Sequence, residues 1–141
     1  MDTRRFALVW GMLFLGIFAS GVVPGLLQPP GTADPDLAMD TMYGRALGLF
    51  PVNLLHDGVH LIFGLWGIVA YRSFGAAKTY ARVTAIIYAV FAFMGLVPGL
   101  NTTFGLVPLF SHDVWLHGVL AAGAAYFGFV HRDREASTRR T

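Results

Sequence analysis

Four apolar runs, over about residues 6–27, 51–71, 81–100 and 112–130, limit what this chain can become more than any motif in it. A helix needs roughly 20 residues to cross a hydrocarbon layer, and each run is about that long. With 55% apolar and 13% charged residues, the chain also lies outside the range of soluble domains. A buried soluble core can reach similar hydropathy, but it would not gather its apolar residues into four such runs. They predict an all-α membrane protein, a single bundle of four transmembrane helices in 141 residues.

The connections fix the expected orientation. Met1-Asp2-Thr3-Arg4-Arg5 ahead of the first run has the basic-then-apolar look of a secretory signal. That run is longer than a signal's apolar region, however, and its Ala19-Ser20-Gly21 site is a poor one, so it reads as helix 1. An outer loop, 28–46, contains the helix-breaking Pro29-Pro30-Gly31 and the acids Asp34, Asp36 and Asp40; its Asp36 to Tyr43 piece suits a short interfacial helix. The tail, 131–141, reads as disordered. Of the ten bases, only Arg45 falls on the far side of the membrane from the rest, so the positive-inside rule makes both termini cytoplasmic. The expected setting is a bacterial inner membrane, with the openings of helices 2 and 4 facing the periplasm.

Two stretches repeat in order. Gly21-Val22-Val23-Pro24-Gly25-Leu26 returns as Gly95-Leu96-Val97-Pro98-Gly99-Leu100, and Gly48-Leu49-Phe50-Pro51 returns as Gly105-Leu106-Val107-Pro108. Leu55-His56 and Leu116-His117 follow in the same order. The chain therefore reads as two tandem helical hairpins, parallel repeats related by an axis along the membrane normal. Because lipid removes most of the hydrophobic drive between helices, close packing must come from small residues, here the Gly21/Gly25 and Gly95/Gly99 pairs at spacing four.

The only polar cluster within the runs lies at those two openings. Asn53, His56 and His60, at spacings of three and four, share one helical face, with Asp57 in reach of His60. Asp113 and His117 form an i,i+4 pair on helix 4. As helix-terminal groups, the acids would be favoured by the helix dipoles and the histidines bonded to loop carbonyls. As a site, His56, His60 and His117 suit a transition metal, with Asn53, Asp57 and Asp113 beside them; an axial histidine from each of two helices suits haem b, and His56 with Asp57 suits a quinone. The absence of cysteine excludes disulfides, thiolate metal sites and iron–sulfur clusters. A net charge of only +2 gives no nucleic-acid surface. Helices 1, 3 and 4 have no charge at mid-depth, which speaks against a channel or a proton-coupled carrier.

Pro51-Val52-Asn53-Leu54-Leu55-His56, Tyr80-Ala81-Arg82, Tyr88 and Asp113-Val114-Trp115-Leu116-His117 together resemble a family of small bacterial four-helix membrane proteins known only as a domain of unknown function, DoxX-like in appearance. The resemblance covers most of residues 6–130; His60 and Asp57 lie outside its pattern. It implies a four-helix bundle with histidines at the outer ends of helices 2 and 4. It brings no activity, although DoxX-like relatives include a quinol-linked oxidoreductase subunit. The first expectation is thus a non-catalytic accessory or structural subunit whose partners are the lipid bilayer and either other membrane subunits or further copies of itself. The alternative is a metal-, haem- or quinone-binding redox protein.

Overall fold

The computed structural model describes residues 1–133, in which four helices and a small antiparallel sheet succeed one another as α1 (Thr3–Val22), β1 (Leu27–Gln28), β2 (Gly44–Ala46), β3 (Phe50–Val52), α2 (Leu54–Ala70), α3 (Phe74–Leu96) and α4 (His112–Ala125). A π-helical turn, Tyr126–Val130, continues α4. Three helical stretches, Thr3–Val22, Phe74–Leu96 and His112–Val130, are long and apolar enough to cross a membrane. With 17 residues, α2 is shorter. At 1.5 Å per residue it reaches about 25 Å, short of a hydrocarbon layer of about 30 Å.

Side-chain chemistry sets these ends. Asp2, Asn53 and Ser73 each accept a hydrogen bond from the backbone N–H three residues on and so start α1, α2 and α3. Asn53 as the cap moves the start of α2 inward from the expected Pro51, which instead lies in β3. Ser73 moves α3 the other way, to Phe74, so the link expected between helices 2 and 3 is mostly helix.

The outer loop corrects the all-α expectation. The expected interfacial helix is absent, and Leu27 and Gln28 pair with Ala46 and Arg45, while Gly44, Arg45 and Ala46 pair with Val52, Pro51 and Phe50. Leu47 (φ 53) and Gly48 (φ 74) are both left-handed, as tight hairpin turns of the primed kind require. Just ahead of the segment expected to be helical, Asp34 is committed to Arg45 of β2, to which it binds through both oxygens.

Within the bundle, α1 lies along α2 and α3 along α4, and α3 also touches α1 and α2. The α1–α2 seam is backbone against backbone. A Cβ on Gly67 would come within 2.7 Å of the Ala7 carbonyl oxygen and Gly11 Cα, and one on Gly11 within 2.8 Å of the Gly64 carbonyl oxygen. On α3 and α4 the buried small residues are Ala77, Ala81, Thr84, Ala85, Ala121 and Ala124. Phe6, Phe14, Tyr80, Tyr88 and Leu120 fill the centre.

The two glycine pairs divide in the same way. Gly21 and Gly95 sit where a Cβ would strike the Asp57 carboxylate and the Leu109 carbonyl oxygen. Gly25 (φ 89) and Gly99 (φ 86) lie beyond their helices, have open space about them, and serve as left-handed turn residues, with no packing role.

At the opposite end, Lys78 Nζ donates to the Phe127 and His131 carbonyls and Arg82 Nε to that of Gly128, satisfying the open end of the last helix. The first part of the expected tail is held: the buried Asp133 accepts hydrogen bonds from the N–H and the hydroxyl of Thr3. Residues 134–141 of that tail lie outside the described residues.

Candidate functional site

Helical spacing, caps and the sheet together bring the two openings to one place. The buried face of α2 carries His56, Asp57, His60, Phe63, Gly64 and Gly67, a run of threes and fours that directs both histidines inward. On α4 the buried face carries Asp113, His117, Leu120 and Ala121. The imidazoles meet across the bundle: ring centroids are 4.6 Å apart for His56 and His60, and 5.6 Å for His56 and His117. One nitrogen from each of His56, His60 and His117 lies within 4.8 Å of those of the other two. All three side chains are buried.

Each acid stands beside a histidine. Asp113 Oδ2 is 3.7 Å from His56 Nδ1, and Asp57 Oδ1 is 3.9 Å from His60 Nδ1, within ion-pair range but longer than a hydrogen bond. The Asp57 carboxylate lies on Gly21 of α1, where the missing side chain leaves it room. Tyr88, Phe91 and Phe14 surround the rings, Tyr88 edge-on to His117 at 5.3 Å and Phe14 stacked near His60 at 6.1 Å.

These polar atoms are short of partners. Nδ1 of His60 and His117, both oxygens of Asp57 and Oδ2 of Asp113 are buried without a hydrogen-bond partner among the described residues; the nitrogens of His56 face the Pro51 and Pro108 carbonyls but make no well-formed hydrogen bond to them. A buried, unsatisfied polar group costs about 1–3 kcal/mol, so so many in one place is unusual for a region that only packs.

Asn53 has a different part from the one expected. Its Oδ1 accepts from the His56 N–H, and its Nδ2 donates to the carbonyls of Met39 at 2.9 Å and Leu106 at 2.7 Å. It thus pins the α1–α2 and α3–α4 connections over the start of α2, with both its side-chain oxygen and its amide nitrogen engaged. No signal in the sequence marks Met39 and Leu106, because they act through backbone carbonyls. Arg45 was likewise not legible as part of this lid; it grips Asp34, donates to the Leu49 carbonyl at 2.9 Å and lies 3.5 Å from Ser111 Oγ at the start of α4. The hydrogen bonds from Arg45 hold the Asp34 carboxyl below its ordinary value of 3.8 against the opposing effect of burial. His112 stays outside the cluster, exposed and 3.2 Å from Ser111 Oγ. His131 lies at the other end of the molecule, 3.4 Å from Asp133.

Helices of membrane-spanning length, joined by a small sheet near buried histidines and carboxylates, define the class: a helical protein whose apolar surface suits a bilayer and whose buried histidines, His56, His60 and His117, are gathered in one internal place. The chain belongs to the family described as Domain of unknown function (DUF4383), which matches residues 4–130. No curated protein and no solved structure matches it.

Proposed function

We propose that this is a small multi-pass protein of a bacterial inner membrane, both termini cytoplasmic, that holds a transition-metal ion on His56, His60 and His117 beneath its periplasmic surface. The observation that carries the reading is the approach of three buried imidazole nitrogens to within 4.8 Å of one another. Neutral imidazoles are good ligands for zinc, iron and copper, and a bound ion supplies the partner that unpaired nitrogens in a water-poor interior lack. In this orientation all four helices cross, with the short α2 completed at its outer end by β3 and the Asn53 cap.

The rival readings account for less. A purely structural or accessory role explains the outward apolar side chains, among them Ile62, Leu65, Ile86 and Phe93, which suit lipid or the helices of other subunits. It does not explain why three imidazoles are buried together with Nδ1 of His60 and of His117 unpartnered. Haem b needs a slab of space between its axial ligands, whereas His56 and His117 are in ring contact with His60 stacked beside them. The quinone reading has one observation of its own, an apolar groove of about 470 Å³ between α1 and α4, but none of the histidines lines it.

Kinship between the hairpins supports the same picture. Gly25 and Gly99 share one backbone conformation, as do Gly48 and Gly105, at matching points of the repeated stretches. Duplication of a single histidine-bearing hairpin would place His56 and His117 in related positions.

Metal analysis of the detergent-purified protein, loaded with zinc, iron or copper and then dialysed, tests the reading. A stoichiometric metal is expected in the wild type and its loss in His56→Ala and His117→Ala, with helical circular dichroism unchanged. A wild type that retains no metal, together with a stable co-purifying subunit, returns the accessory role to first place.

A further inference from the structure

Leu47 and Phe104 stand at one point of the two repeats, each just ahead of the repeated glycine, Gly48 or Gly105, and both are left-handed (φ 53 and φ 58). Glycine or asparagine adopts that conformation readily, whereas a bulky side chain is a genuine outlier in it. Burial does not force them there: Leu47 is 54% and Phe104 78% exposed, and Leu49 and Leu106, one residue past each glycine, are 46% and 48% exposed. The chain thus twice bends its backbone unfavourably and leaves a pair of large apolar side chains facing outward.

The level of these tips in the bundle says what they meet. Leu47 lines the apolar groove together with Gly16, Ile17 and Ser20, so it lies beside the second half of a helix of membrane-spanning length. Leu106 gives its carbonyl to Asn53 at the start of α2, where Leu54 and Leu55 are 41% and 43% exposed. Because α2 is shorter than the hydrocarbon layer, the lipid-facing surface must reach past that start onto the connections. They are fit for it: the connection 97–111 has no charge, and Arg45, the one charged residue of the sheet, is paired with Asp34.

Resting on the reading of the helices as membrane-crossing, and not on the metal site, we propose that residues 47–49 and 104–106 are two wedges set into the outer leaflet, among the acyl chains just beneath the headgroups. Lipid fits both better than a protein partner does. One wedge is seated against α1 and α4 and the other near the start of α2, and lipid surrounds the bundle whereas a partner meets one side of it. Apolar side chains buried at the boundary between headgroups and acyl chains hold a segment at that level, so the wedges set the depth at which the two connections lie.

The chain has no cysteine, so single nitroxide labels can be placed on the full-length protein in phosphatidylethanolamine and phosphatidylglycerol vesicles through Leu47→Cys, Phe104→Cys, Ile62→Cys and Asp36→Cys. Ile62, 64% exposed on α2, marks the hydrocarbon, and the exposed Asp36 of the first connection marks water. Collisions with oxygen, which concentrates in lipid, are compared with collisions with a water-soluble chromium complex. The expected result is that labels at 47 and 104 meet the chromium complex several-fold less than the label at 36 and meet oxygen more, as the label at 62 does. Leu49→Cys and Leu106→Cys give the same reading should a tip variant fail to fold. Tips as open to chromium as position 36, or only one tip immersed, overturns the proposal while the crossing helices stand. Shielding from both probes, with spin–spin broadening that disappears on dilution with lipid, overturns it in favour of a second copy. A label at 62 that meets chromium as freely as one at 36 overturns the membrane reading itself.

Discussion

The hairpins α1–α2 and α3–α4 are built alike at their turns and differently along their seams. In the first, Gly11, Gly64 and Gly67 let the helix backbones touch, and the connection folds into a three-stranded sheet tied down by Asn53 and by the Arg45–Asp34 pair. In the second, the buried small residues are mostly alanines and close backbone approach is left to the ends, at Gly95 against Leu109 and Gly128 against Arg82; the connection from Val97 to Ser111 carries no charged residue and no strand, and Ser111 makes no side-chain cap bond. The cluster reflects the inequality: α2 supplies two histidines and an aspartate, α4 one of each. A rigid, tightly held hairpin thus carries most of the site, and the plainer one closes it. Backbone contact fixes the position of α2 against α1 more narrowly than side chains could, and His56 and His60 inherit that precision.

The seams offer the sharpest way to break this contrast. Gly67→Val, which drives side-chain atoms into the backbone of α1, is expected to destabilise the protein by about 3 kcal/mol, whereas Ala85→Val on α3 costs about 1 kcal/mol, both by the usual scale for overpacking. Equal shifts in denaturant unfolding in detergent would show that the two seams are equally tight.

Next come the caps. Asn53→Ala removes a helix cap, worth about 1 kcal/mol, and orphans the Met39 and Leu106 carbonyls, for a loss on the order of 2–3 kcal/mol. Ser111→Ala at the start of α4 stays within about 0.5 kcal/mol. A cost at Ser111 as large as that at Asn53, measured in the same unfolding experiment, refutes the idea that only the first hairpin is pinned.

The turns should show likeness where the seams show difference. Gly25→Ala and Gly99→Ala both force a Cβ into a left-handed residue with open space around it, so each costs about 1 kcal/mol and the two agree. Disagreement of more than that amount would count against kinship of the hairpins.

The smallest effect is a pH dependence of the first loop alone. Because Arg45 lowers the Asp34 carboxyl below 3.8, the pair contributes stability above that pH and loses it as the pH falls through the lower folded value. Amide protection in residues 44–52, taken relative to the intrinsic exchange rate at each pH, should fall below about pH 3.8, while that of the charge-free connection 97–111 is unaffected by this route. Equal acid sensitivity in the two would remove the Arg45–Asp34 pair as the cause.

Much of the fold could be read from the chain. Long apolar runs located α1, α3 and α4 to within a few residues of one end or the other, and threes-and-fours spacing put His56 with His60 and Asp113 with His117. Boundaries were harder where a cap competed with hydropathy: Asn53 and Ser73 stop or extend helices through single hydrogen bonds that leave little trace in an apolar pattern. The sheet was missed because its strands are two or three residues long and are held by pairing with distant partners. Gly25 and Gly99 looked like helix-packing positions, since spacing alone does not say where a helix ends.

The sequence by itself determined that the chain forms long apolar helices and that the histidines and acids within them stand at two openings, because hydropathy and periodicity are local properties. Only the tertiary structure decided that His56, His60 and His117 converge, that Asn53 caps α2 and binds the Met39 and Leu106 carbonyls, and that Asp57 rests on Gly21. Those are contacts between residues as much as 61 positions apart, as His117 is from His56, and the crossing of helices, which depends on every side chain in the seams, sets them.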